Sequence, residues 1–176
     1  MWEQQNSVEY LNAGDVHGLI AAISAPNAAD RQHARETLVG IGRPAVGSLI
    51  RLLDDPHSQV RWEAVKALAA IGDRAAAPAL IEAMEDEDGN VRWLAANALI
   101  DLGHEALQPL LAALAYRQSS PDLLEGAHHV LSKLYWRDSP QVVKPVLAAL
   151  DGPAPQMAVH LAAYSALNVI RASQRD

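Results

Sequence analysis

The sequence predicts an all-α protein, an array of repeated helical hairpins. Three observations predict it. The stretch "VRWEAVKALAAIG" (60–72) returns as "VRWLAANALIDLG" (91–103), so one unit is written twice at a period of 31. Within it, apolar residues recur at spacings of three, four and seven, which lie on one face of a helix. Gly closes each stretch, and Gly is the residue that reverses a chain at a helix end without a Cβ penalty.

The elements follow in order. "GDVHGLIAAI" (14–23) reads as the second helix of a partial repeat whose first helix is short or frayed. First helices are anchored on Arg31, Arg61 and Arg92, each followed by Ala (34, 64, 95), Leu (38, 68, 99), Ile or Leu (41, 71, 102) and Gly (42, 72, 103). A looser copy has Ala127, Leu131 and Leu134 with Tyr135 in place of the Gly, and a fifth has Ala163, Leu167 and Ile170. Second helices are "AVGSLIRLL", "APALIEAM", "ALQPLLAAL" and "VVKPVLAAL", with apolar pairs three or four residues apart.

Start signals fall at the junctions. Asn27, Asp88 and Ser120 stand where a side-chain oxygen caps free N–H groups, and Pro121 follows where a missing N–H does no harm. Asp73 and Ser139-Pro140 read as the same device before second helices. The expected organisation is one domain: 1–24 a partial repeat, 25–55, 56–86, 87–118 and 119–151 repeats, and 152–176 a C-terminal capping helix.

Val-Arg, then Ala, Leu and Gly at these offsets, after Asp55-Pro56, resembles the HEAT repeat. The short period is similar to the HEAT-like subtype of phycobilisome lyases. The resemblance implies a right-handed α-solenoid, first helices convex and second helices lining the concave side. It also implies that Arg61 and Arg92 pair with acidic residues near Asp55 and Asp86, although Arg31 has Ala25 at the matching place. One such unit cannot bury its apolar face alone, so stability comes from stacking neighbours.

Composition bounds the function. The chain has 176 residues, a net charge of −7 and scattered Lys and Arg, which argues against nucleic acid, since phosphate tracking needs a basic stripe. Without cysteine there is no disulfide, thiolate metal site or cysteine nucleophile. "MWEQQNSVEY" lacks the features of a signal peptide, and apolar stretches are too short to span a membrane. A soluble, cytoplasmic protein is expected.

Candidate chemistry is sparse. His104-Glu105 supplies only two ligands, and adjacent His128 and His129 point about 100° apart on a helix. With His160 they are read as packed or surface histidines. No catalytic site, metal site or cofactor is therefore expected. "EAMEDED" (82–88) lacks the oxygen spacing of a calcium loop and reads as a solvated turn or an acidic docking spot.

Partner-binding candidates are Arg51, Glu82, Glu85, Arg117 and Lys144 on the outward side of second helices, with Tyr116 the aromatic near them. Trp62 and Trp93 join them from the first helices. Each falls about 160° from the core Ala of its helix, so packing explains the repeated Val, Ala, Leu and Gly but not the indoles. Gln32, Glu125 and Leu161 hold the place in other copies. Each indole either lies over a neighbouring helix or forms an exposed patch. The function expected is a non-catalytic scaffold for another protein or peptide, with self-association open; the alternative is a subunit or chaperone resembling bilin lyases.

Overall fold

The computed structural model describes residues 13–135 and 140–173 and divides into two compact units, Met1–Ala76 and Ala77–Asp176. The first holds α1 (Ala13–Ala22), α2 (Ala28–Ile41), α3 (Arg43–Arg51), a 3-10 turn (Leu52–Asp54), α4 (Ser58–Ile71) and a second 3-10 turn (Arg74–Ala76). The second holds α5 (Ala77–Ala83), α6 (Gly89–Leu102), α7 (His104–Tyr116), α8 (Pro121–Leu134), α9 (Pro140–Leu150) and α10 (Pro155–Ser173). No strand occurs among the described residues. The fold is the all-α solenoid class: α2 stacks on α4 in the first unit, and α6 on α8 and α5 on α7 in the second. The segment read as 14–23 is α1; whatever precedes residue 13, and Ser139, lie outside the described residues.

Helix starts follow local chemistry. Asn27 accepts a hydrogen bond from the N–H of Ala29, Asp88 from that of Asn90 and Ser120 from that of Leu123, each satisfying a donor with no intrahelical partner. Pro121 opens α8, and Asp73 accepts from the N–H of Ala75 at 2.9 Å. Removing such a cap costs about 1 kcal/mol.

The three closing glycines all have positive φ, but in two different ways. Gly72 is left-handed helical, at φ 66° and ψ 25°. Gly42 and Gly103 sit at φ 74°, ψ −134° and φ 61°, ψ −129°, a region that sterics close to side chains. Those two lead directly into α3 and α7, whereas Gly72 needs a 3-10 turn before α5.

The repeated Arg has a use that the family resemblance did not imply. Arg61 Nη1 donates to the main-chain oxygen of Asp55 at 2.8 Å, and Arg92 Nη1 to that of Asp86 at 2.7 Å. Arg31 Nη1 does the same to Ala25 at 2.8 Å. The acceptor is the peptide carbonyl six residues earlier, so Ala25 offers this contact as Asp55 and Asp86 do. Acidic contacts reach across to the next first helix: Arg31 lies 3.7 Å from Glu63, and Arg92 lies 3.5 Å from Asp122. Glu63, itself buried, also accepts from Arg35.

The core is the predicted one at two positions of three. Ala34, Ala64, Ala95, Leu38, Leu68 and Leu99 are at most 1% exposed, and the small Ala lets stacked helices approach. Each fully buried Leu contributes about 1.5–3 kcal/mol. Ile41, Ile71 and Leu102 are only half-buried, because the last turn beside the hairpin bend has fewer neighbours. In the looser copies Ala127, Leu131, Ala163 and Leu167 are wholly buried, and α10 packs chiefly on α7 and α9.

Candidate partner-binding site

The two repeated indoles meet different surroundings. Trp62 on α4 is half-buried, and the ammonium of Lys66, one turn on, stands 4.2 Å from its ring centroid. Such a contact stabilises by roughly 0.5–1 kcal/mol at an exposed site. Trp93 on α6 is 64% exposed, and the residue one turn on is Asn97, whose Nδ2 donates to the Trp93 main-chain oxygen at 2.7 Å.

Trp93 walls a cleft of about 340 Å³ between α6 and α8. Met84, Ala96 and Gly126 form its floor, and Arg92, Asp122, Glu125 and His129 its rim. Gly126 matters to this floor: a Cβ there would stand 2.8 Å from the sulfur of Met84, whose side chain is 1% exposed. Arg92 is anchored by main-chain carbonyls and Asp122, so its charge is already spoken for.

The second-helix candidates separate into pieces. Arg117 lies 3.2 Å from Glu85 and 3.8 Å from Glu82, and the Ser120 hydroxyl donates to Glu85. This cluster edges a second cleft of about 320 Å³ floored by Pro78, Ile81, Pro109 and Ala112. Tyr116 points elsewhere, its ring edge-to-face with Tyr164 of α10 at 6.2 Å. Arg51 donates to the Ser48 hydroxyl in the first unit, and Lys144 is exposed on α9. The acidic turn after α5 has a structural use: Asp86 accepts from the N–H of Asp88, which in turn caps α6.

One surface was not anticipated. Met157, Leu161 and Tyr164 on α10 are 82%, 71% and 47% exposed, at spacings of four and three, with Tyr116 beside them at 58%. The opposite face of α10 buries Val159, Ala163, Ala166 and Leu167. The signal is present in "MAVHLAAYSAL", which is apolar on both faces. The repeat register, which selects Ala163, Leu167 and Ile170, masked it.

The histidines stand apart. His128 Nε2 lies 3.0 Å from Asp151, His129 lines the α6–α8 cleft, and His160 is half-buried on α10. Among the described residues no three His, Asp or Glu side chains gather where they could hold a metal ion. No helix among them is long and apolar enough to cross a membrane. The N–H of Ala75 and then Arg43, 2.7 Å away, hold the Asp73 carboxyl below the usual 3.8.

These hairpins, with Arg on the preceding carbonyl and Gly at the bend, match a family model of HEAT repeats over residues 16–90 and again over 77–168. The chain is a HEAT-repeat protein. No curated protein sequence matches it. Among solved structures it is similar to a chain of the complex of CpcE and CpcF of phycocyanin lyase from Nostoc sp. PCC7120. That similarity is 27% identity, covering 85% of this chain and 98% of that one, with a TM-score of 0.56. A designed armadillo repeat protein is 19% identical, covering 93% of this chain and 85% of that one, with a TM-score of 0.46.

Proposed function

We propose that this chain is a non-catalytic HEAT-repeat subunit that binds another protein through the outer face of α10. The observation that carries the reading is the helix's second apolar face. A helix apolar all round belongs in an interior, and a contiguous exposed apolar patch marks an interaction surface. Tyr116 and Tyr164 add two aromatic anchors of the kind that dominates interface energetics. The similar CpcE–CpcF chain, which is part of a complex of two proteins, supports the reading.

The test is affinity capture from the source organism with the native chain and with Met157→Glu/Leu161→Glu, read by mass spectrometry, with light scattering for self-association. Both side chains are exposed, so the double variant is expected to keep its helicity and melting temperature while losing its partner. Retention of the same partners by the folded variant would sink the α10 reading.

The similarity to a phycocyanin lyase chain favours a second reading, a subunit or chaperone acting on bilin-carrying proteins. A bilin calls for several aromatic side chains and free basic groups for its propionates. The α6–α8 cleft offers one indole and an Arg already engaged, which supports the first reading. Addition of a bilin to the purified chain separates the two: a shifted visible absorption band would favour the second.

A further inference from the structure

The repeat makes an internal comparison possible at the α6–α8 cleft. Trp62, Trp93 and Glu125 hold the same register position on α4, α6 and α8, and Lys66, Asn97 and His129 hold the position one turn later. In the first of these copies the chain completes its own pair, with the Lys66 ammonium over the Trp62 ring. In the second the indole is present and 64% exposed, but its neighbour Asn97 carries no charge. The next first helix, α8, supplies an exposed carboxylate, Glu125, on the rim of the same cleft. A ring face with its negative quadrupole and a carboxylate beside it attract a cation together.

The size and charge narrow the occupant. At about 340 Å³ the cleft is near the lower end of ligand sites, roughly 300–1,000 Å³, and suits one long side chain. The chain's net charge of −7 draws basic partners toward it. Gly126 keeps the floor open, and Met84 and Ala96 give an alkyl stem apolar contact.

We propose that the cleft between α6 and α8 seats an Arg or Lys side chain of a partner protein, its cation over Trp93 and against Glu125, in the arrangement Lys66 makes with Trp62 inside the chain. This deepens the partner-binding reading with a second contact on different residues. Its test changes no residue of α10, so either can fail alone.

The probe is a short peptide of alternating Gly and Arg, titrated into the ¹⁵N-labelled chain while the indole N–H resonances are followed. Trp93→Gln identifies the Trp93 resonance by its loss. The expected result is a saturable shift of the Trp93 resonance with that of Trp62 unmoved, and no shift with the same peptide carrying citrulline. Glu125→Gln is expected to weaken binding by about two- to five-fold. Asn97→Lys, which supplies an internal cation as in the Trp62 copy, is expected to abolish it. The proposal is overturned if the Arg peptide leaves Trp93 unmoved or citrulline shifts it equally. Unchanged binding by either Glu125→Gln or Asn97→Lys overturns it as well.

Discussion

Helices α4 and α6 are written in nearly the same letters, yet their outward-facing indoles meet different surroundings. Both bury Val, Ala and Leu at matching positions, and both send their Arg to the carbonyl six residues back. Trp62 is then half-buried beneath its own Lys66, whereas Trp93 stands in solvent at the edge of a cleft. The bends differ too: Gly72 is left-handed helical and Gly103 is not. The shared Val, Ala and Leu specify the helix and its packing, and neighbours such as Lys66 and Asn97 decide what each indole can touch.

The largest expected effect tests the shared part. Leu68→Ala and Leu99→Ala remove side chains 1% and 0% exposed, and each is expected to destabilise by roughly 2–5 kcal/mol in urea denaturation. A loss below about 0.5 kcal/mol in one copy alone would break their equivalence.

The bends sharpen the difference. Asn enters the left-handed region but not the one Gly103 occupies. Gly103→Asn is therefore expected to cost roughly 1–3 kcal/mol, and Gly72→Asn about 1 kcal/mol or less. Equal losses in thermal unfolding would show that the two conformations impose the same demand.

The indoles come next. Trp62→Gln forfeits half-buried ring area and the Lys66 contact and is expected to lower stability by about 1–2 kcal/mol. Trp93→Gln, at an exposed site, is expected to change it by no more than about 0.5 kcal/mol. If the two melt alike, Trp93 is a packing residue and its exposure has no functional meaning.

The smallest effect lies just past each bend, where Asp73 follows Gly72 and His104 follows Gly103. The Asp73 carboxyl is held low by the Ala75 N–H and by Arg43, so it binds protons less readily folded than unfolded. Its stabilisation is present above the ordinary value of 3.8 and is lost as pH falls below it. Asp73→Asn is expected to flatten the stability profile slightly below about pH 4, while His104→Asn leaves that limb unchanged. An unaltered acid limb in Asp73→Asn would remove this distinction.

The hairpins, their caps, the core Ala and Leu positions and the closing glycines were legible in the sequence. Helical periodicity, Asx and Ser capping and glycine's freedom at positive φ all act within one hairpin and recur at a fixed period. Three things were decided only in the folded chain. The carbonyl that receives each Arg depends on the path of the turn before the helix, which the side chain at that place does not determine. The cleft at Trp93 depends on stacking α6 against α8, which brings Trp93 and Glu125, 32 positions apart, to one opening. The exposed face of α10 depends on which side α7 and α9 cover. A helix apolar on both faces carries no periodic mark of which face will be buried, so only tertiary packing selects one and leaves Met157, Leu161 and Tyr164 facing solvent.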